Sequence, residues 1–336
     1  MTEYNRILIA DLARLGDVTL ASPVIANLRK NHPDAKIEFL VSKGSRATVE
    51  NNPKLDVVMI FEKPGRGFFS QWGYVNKISK QLRKKRFDIV FLLHRSFTSA
   101  LIVWLAGIPI RIGHDTQGRG VLLTKKVRLD VSGHRLDNNL ELLKAAGEKI
   151  TYKKPEYFPS NEISDVVREI KALLKGNRLI VINPNGVWET KRWKIERFAE
   201  LAARILEEKN VVVVVIGGEG DEERGERIAS VSKEIVNLTG RTSVDDLYRI
   251  CEMSDLVITN DSGPMHIAAT ANARIIALFG PTDSDRCGPR CDDPIILYGE
   301  VECIRCYNKT CEHLSCIEKL SVDQVYEEAA KIPGRN

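Results

Sequence analysis

The stretch Asp261-Ser262-Gly263-Pro264-Met265-His266 has the residue types of an anion-binding turn. Ser262 is a candidate N-cap, and Pro264 fits a first helical turn because its missing N–H would have no intrahelical acceptor there. Gly263 lets a ligand approach the backbone. The unpaired N–H groups and dipole of such a helix start favour phosphate, so a nucleoside diphosphate is one occupant. The other reading is that any strand–turn–helix unit needs a tight turn and a cap. A carboxylate beside a diphosphate is repulsive, so Asp261 is expected to hold backbone N–H groups or sugar hydroxyls. His266, taken alone, reads as a packed or capping residue.

Other segments carry chemistry of their own. Asp17 ends the loop Leu12–Asp17 that follows the apolar run Arg6–Asp11. It reads either as the N-cap of a helix over Val18–Asn31 or as a catalytic base, because open α/β sheets bind ligands at the carboxyl ends of their strands. The strand Leu179–Asn183 opens onto Pro184-Asn185-Gly186 and then Lys191-Arg192-Trp193, and Gly217–Glu223 forms a glycine-rich acidic loop. Four of the 7 cysteines, Cys303, Cys306, Cys311 and Cys316, fall in one short tract with His313 inside it. The tract could hold zinc, form disulfides, or pack reduced in a compact loop. It lacks paired C-x2-C knuckles, and no metal is expected.

Positioning these residues requires alternating strands and helices. Apolar runs such as Lys36–Val41, Val57–Phe61, Asp88–Leu93, Val211–Ile216, Leu256–Thr259 and Ile275–Phe279 alternate with helical stretches. The pattern predicts an α/β protein with two open parallel sheets, helices on both faces of each, facing each other across a cleft. Lys149–Asn161, with two prolines and little periodicity, reads as a linker between domains 1–155 and 156–336. Glu62–Tyr74 is expected as a loop whose aromatic and basic residues suit a membrane interface or lipid-linked substrate, or fold back onto the core. A helix is expected over Val75–Arg86, and a basic segment over Arg119–Arg128.

No apolar run among the 336 residues reaches a membrane-spanning length, and the N-terminal MTEYNRILIADLA lacks a signal-peptide pattern, so a cytoplasmic location is expected. Residues 1–155 hold 27 Lys/Arg against 14 Asp/Glu, a net +13, whereas residues 156–336 hold 23 against 31, a net −8. The basic half points to an anionic partner. The acidic second half and the lack of a recognised motif argue against nucleic acid.

Leu15-Gly16-Asp17, Asn183-Pro184, Lys191-Arg192-Trp193, and Asp261 to Ala269 followed by Phe279-Gly280-Pro281-Thr282 occur together in this chain. In these motifs the chain resembles glycosyltransferase family 9, the ADP-heptose:lipopolysaccharide heptosyltransferases, many of which also carry cysteine tracts. The resemblance implies a GT-B fold of two Rossmann-like domains. The acceptor site lies in the first and the nucleotide-sugar site in the second, with the last helix free to pack back on the first. It implies inverting transfer from ADP-heptose as donor substrate, without cofactor or essential metal. Asp17 becomes the base that deprotonates the acceptor hydroxyl, a task an ionised carboxylate can perform. Lys191 pairs with the donor diphosphate, helped by backbone N–H groups of Ser262 and Gly263 and by His266. Asp221 or Glu222 is placed on the donor ribose, Asp261 on sugar hydroxyls or the turn. Asn183, Asn185, Gly186 and Thr242 complete the donor set. The acceptor, an anionic lipopolysaccharide inner core, is assigned to Arg66, Arg95, Arg111 and Arg119. The same charge suits peripheral contact with an anionic leaflet. Two alternatives stay open: a family member using another nucleotide sugar for a different glycan, and a non-catalytic nucleotide-binding paralogue.

Overall fold

β-branched runs bounded by turn residues form the strands, and the amphipathic stretches between them form the crossovers. The computed structural model describes residues 3–62 and 68–334. It divides into two units, Met1–Phe158 and Pro159–Asn336. The first contains β1 (Arg6–Asp11), α1 (Leu15–Thr19), α2 (Ser22–Asn31), β2 (Lys36–Ser42), β3 (Val57–Phe61) and α3 (Phe68–Lys85). It continues with β4 (Ile89–Leu92), α4 (Phe97–Leu105), β5 (Ile110–His114), β6 (Lys125–Val127) and α5 (Arg135–Ala146). The strands form one parallel sheet in the order β3-β2-β1-β4-β5-β6.

Strand alternation sorts this core into two layers. Ile7, Ile9, Phe39, Ile89 and Phe91 pack with Val24, Ile25 and Leu28 of α2 and with Leu136, Leu140 and Leu143 of α5. Leu8, Ala10, Leu40, Val90 and Leu92 face the other way, onto Val75, Ile78 and Leu82 of α3 and Ala100, Ile102 and Val103 of α4.

The second unit begins with α6 (Asp165–Leu174), β7 (Arg178–Asn183), α7 (Ile195–Leu206), β8 (Val211–Val215), α8 (Glu222–Ala229) and β9 (Val236–Asn237). It continues with α9 (Val244–Met253), β10 (Leu256–Asn260), α10 (Gly263–Thr270), β11 (Ile275–Phe279) and α11 (Ser284–Cys287). It closes with β12 (Ile295–Tyr298), α12 (Ser315–Glu318) and α13 (Val322–Ala330). Its sheet is again parallel, in the order β12-β11-β10-β7-β8-β9. Ile180, Ile182, Val213, Leu256, Ile258 and Leu278 pack under Phe198 and Leu201 of α7 and Val322 and Val325 of α13. The last helix thus contributes to the core of its own unit.

Several segments differ from the sequence expectation. The helix expected from Val18 is two: α1 ends at Thr19 and α2 begins at Ser22. Pro23 lacks an N–H and is accommodated in a first turn, so the chain restarts the helix around it. α3 begins at Phe68, so the second half of the expected Glu62–Tyr74 loop is helical. Strand β5 lies where no element was assigned, and β6 lies within the expected basic segment, unrecognised because it is short and its lysines are exposed at the sheet edge.

The expected linker is docked along its first part. Asn27, fully buried, donates to Pro23 O and Tyr152 O (2.7 Å each) and accepts from the N–H groups of Thr151 (2.6 Å) and Tyr152 (3.0 Å). Glu156 N–H donates to Ser22 Oγ at 2.9 Å. Asn27→Ala should therefore lower the urea unfolding free energy by about 2 kcal/mol and speed protease cleavage after Lys149. An unchanged midpoint and digestion pattern would mean the clamp contributes nothing.

Candidate active site

In each sheet the strand order reverses once, between β1 and β4 in the first and between β7 and β10 in the second. Loops leaving neighbouring strands at such a point diverge to opposite faces and open a crevice at the carboxyl ends. Asp11 and His94 stand at the first of these points; Asn183 and Asp261 stand at the second.

In the first unit the crevice is a cavity of ≈590 Å3 lined by Arg14, Asp17, His94, Arg95, Ser96 and Arg135, among others. Asp17 is the third residue of α1, and Arg14 occupies the N-cap position. The capping alternative for Asp17 therefore fails, because the helix starts two residues before it. Its side chain is 41% exposed, and Arg135 Nε lies 3.1 Å from Oδ1. The same guanidinium reaches Asp11 Oδ2 at 3.5 Å. Arg135 is the first residue of α5, where the helix dipole disfavours a cation, so the two carboxylates offset an unfavourable placement. Asp11 is fully buried, and its Oδ1 accepts from Ala13 N–H at 3.1 Å. Burial pushes its carboxyl up to about 6; Arg135 opposes the shift and Asp17 adds to it. His94 is pulled down to about 4 by burial and by Arg135 and Arg119, so it is neutral at pH 7. The hydroxyls of Ser42 (3.0 Å) and Ser45 (2.9 Å) both donate to Ala13 O and hold the loop that carries Asp17.

In the second unit Asn183, fully buried, donates to Thr259 Oγ1 (2.8 Å) and Ser262 Oγ (2.7 Å). Ser262 stands at the N-cap position of α10 but caps nothing with its side chain, since its hydroxyl serves Asn183. The first turn is left open toward an anion. Lys191 ends a 3-10 turn over Glu189–Lys191, and its Nζ lies 2.6 Å from Asp261 Oδ2 and 4.6 Å from the Trp188 ring centroid. Thr282 Oγ1 donates to the same Oδ2 at 2.6 Å. Asp261 therefore holds Lys191 rather than turn N–H groups. Cys287 Sγ approaches that oxygen at 3.8 Å, and burial together with Asp261 pushes its thiol up.

The loop after β7 is pinned by side chains. Asn185 donates to Ile216 O (3.3 Å) and accepts from Arg224 Nε (3.1 Å), and Gly186 O accepts from Arg192 Nε (2.7 Å). A Cβ at Gly217 would meet Asn185 Nδ2 at 2.6 Å, so only glycine fits beside that amide. Asp221 is the N-cap residue of α8 and accepts from Gly218 N–H at 3.0 Å. The Glu222 carboxylate lies over Gly240, whose φ is +72°, where a Cβ would be 2.4 Å from Oε1. Thr242 is half-buried two residues on, and His266 is buried on α10. Among the described residues, no three His, Cys, Asp or Glu side chains converge as a metal set.

Three comparisons identify the relatives of this chain. The model of glycosyltransferase family 9 (heptosyltransferase) matches residues 75–317. The chain belongs to that family. It is 28% identical over 295 residues, covering 83% of this chain and 84% of the other, to lipopolysaccharide heptosyltransferase 2 of Escherichia coli K12. It superposes on a glycosyltransferase family 9 crystal structure from Veillonella parvula with a TM-score of 0.81 and 26% identity, covering 98% and 97% of the two chains. It superposes on E. coli ADP-heptose lps heptosyltransferase II with a TM-score of 0.79 and 23% identity, covering 97% and 98%. The chain is thus a glycosyltransferase with the α/β, GT-B type of fold, each unit Rossmann-like.

Within this glycosyltransferase the expected acceptor arginines separate. Arg95 lines the cavity, while Arg66 lies outside the described residues. Arg119, expected on a loop, is fully buried, its Nε donating to His114 O at 2.8 Å and its Nη1 to His94 O. Burial and Arg95 lower it to about 10. Arg111 donates to the main-chain oxygens of Leu122 (2.7 Å) and Ile108, fastening its own strand edge. Neither guanidinium reaches the cavity. Arg111 lies within β5 and Arg119 folds back onto the end of that strand, which the sequence reading did not assign. Sequence reasoning assigned no role to Asp11, Arg135 or Thr282. Thr282 stood in a quoted motif and His94 at a noted strand end, but nothing in the sequence pairs Arg135 with Asp17.

The buried Asp11 gives a pH dependence of known sign. A raised carboxyl pKa means the native state binds more protons than the unfolded chain between about pH 4 and 6, so stability falls as pH rises through that window. Asp11→Asn should remove a loss on the order of 3 kcal/mol between pH 4 and 7, read from urea melts at both pH values. Parallel pH profiles for wild type and variant would show that Asp11 does not titrate there.

Proposed function

We propose that the enzyme transfers heptose from ADP-heptose to the inner core of lipopolysaccharide with inversion at the anomeric carbon. The observation that carries this reading is Asp17, an accessible carboxylate on the wall of an arginine-lined cavity, oriented by Arg135. The names of the E. coli relatives, a lipopolysaccharide heptosyltransferase and an ADP-heptose lps heptosyltransferase, support the choice of donor and acceptor.

In this mechanism Asp17 accepts the proton of the acceptor hydroxyl as that oxygen attacks the anomeric carbon. The bond from that carbon to the diphosphate oxygen breaks, its electron pair leaves with ADP, and attack from the opposite side inverts the centre. Lys191 and the open first turn of α10 meet the charge that develops on the leaving diphosphate. Asp261 holds the Lys191 ammonium at the turn, and the Thr282 hydroxyl stabilises that carboxylate. Asn183, Asn185 and Gly186 shape the turn; Asp221 or Glu222, with Thr242, meets the ribose. His266 supports the phosphate turn from α10. Arg14, Arg95 and Arg135 favour an acceptor bearing phosphates or carboxylates, and His94, neutral at pH 7, adds no charge to that field. The reaction requires no metal or cofactor. Among the described residues, no helix is long and apolar enough to cross a membrane. We place the enzyme in the cytoplasm, peripheral to an anionic leaflet that holds the acceptor, with no nucleic acid among its partners.

Two variants test the assignment with ADP-heptose and deacylated core as substrates. Asp17→Asn should lower kcat by about 10^3-fold while leaving ADP affinity unchanged. Lys191→Ala should weaken ADP binding and lower kcat by about 10^2-fold. Wild-type turnover by Asp17→Asn would remove Asp17 as the base, and a product with retained anomeric configuration would remove the inverting mechanism. Faster turnover of a UDP- or GDP-sugar would overturn the donor.

A further inference from the structure

Helix α4 carries no charged residue over its nine positions, FTSALIVWL. Ser99, Ala100, Ile102 and Val103 face the core, which leaves Phe97, Leu101 and Trp104 at i, i+4 and i+7 along the opposite side. Phe97 is 43% exposed and Trp104 47%. Val121 is 79% exposed in the turn Arg119–Leu122, which packs on α4. Helix α3 lies alongside: Ser79 Oγ donates to Ile102 O at 3.0 Å and Arg83 to Leu105 O. Those two contacts advance together in sequence, so the helices run in the same direction. Trp72, 47% exposed, therefore stands at the Phe97 end. Helix α3 bears Lys77, Lys80, Arg83, Lys84 and Lys85 and no acid.

Single exposed apolar residues are ordinary, but four large ones on adjoining elements, bordered by the cations of α3 and with no acid on α3 or α4, form the pattern of an interfacial surface. We infer that the outer face of α4, with Trp72 and the exposed Lys77, Lys80 and Lys84 of α3, is the surface by which the enzyme docks on an anionic lipid bilayer. Tryptophan suits the headgroup zone, and the lysines complement anionic headgroups. A symmetric contact with a second copy would set the lysine-rich α3 helices against each other. The stripe also begins at the active site: Ser96, the N-cap of α4, lines the Asp17 cavity, and Phe97 follows it directly. A bilayer against α4 would present a lipid-anchored sugar at the mouth of that cavity. This last point rests on the proposed acceptor; the docking surface does not.

The test uses the full chain, with vesicles of phosphatidylcholine alone or mixed with phosphatidylglycerol. Wild type should pellet with the mixed vesicles, less so at high salt, with a blue shift of tryptophan fluorescence. Phe97→Ser/Trp104→Ser should lower vesicle partitioning at least ~10-fold, and Lys77→Glu/Lys80→Glu should abolish its salt dependence. Both variants should keep the wild-type melting temperature, ADP affinity and transfer to deacylated core, and lose transfer to vesicle-embedded acceptor. If both variants bind vesicles like wild type, the surface is wrong and the peripheral reading survives. If wild type binds no vesicle, both are wrong. A wild-type dimer in light scattering that the aromatic variant dissociates would make this face a contact between copies and overturn the inference. So would an equal loss of transfer to the soluble acceptor.

Discussion

In a parallel sheet whose strand order reverses, two adjacent crossovers must leave toward opposite faces, and nothing packs over the carboxyl ends between them. Both units of this enzyme obey that constraint, and the groups of its site are arranged around it. Asp11 ends β1 and His94 follows the neighbouring β4 in one sheet, as Asn183 and Asn260 end neighbouring strands in the other. The crevice exists because of how the chain winds, and side chains only line it.

Each unit holds an ionic contact at its strand-order reversal, with the polarity reversed. In the first unit an arginine holds an accessible carboxylate, Arg135 on Asp17, with buried Asp11 behind it. In the second a carboxylate holds a cation, Asp261 on Lys191, with the Thr282 hydroxyl behind it. In both, a buried or shared partner costs desolvation and gains a fixed geometry. Asp11 shows that cost openly, being held near pH 6 by its burial.

The basic first half divides its cations between architecture and surface. Arg111 and Arg119 fasten main-chain oxygens, Arg29 reaches Lys54 O, Pro33 O and Ala35 O, and Lys85 pairs with the buried Glu38. The arginines of the cavity wall and the exposed Lys77, Lys80 and Lys84 of α3 carry the outward field. Net charge therefore pointed to the kind of partner but could not say which cation meets it, since a guanidinium can bury its stem and satisfy carbonyls as readily as it can bind phosphate.

Periodicity alone was enough for the alternation of strands and helices, the two-unit plan and the turn at Asp261–Pro264, because a buried parallel strand needs an apolar run and a helix start needs particular residues at adjacent positions. Those signals are local. Asp17 and Lys191 were singled out through the motifs around them. Three-dimensional packing settled the rest. β5 and β6 were hidden because a short edge strand is recognised by its neighbour and not by its own composition. Asp17 turned out not to be a cap because α1 begins at Leu15, which puts Asp17 inside its first turn. Ser262 kept its position and changed its task once Asn183 came within 2.7 Å. Arg135 meets Asp17 from 118 positions away along the chain, and the α3–α4 surface joins residues of two separate helices. Such pairings are set by which elements pack together, and sequence spacing carries no record of them.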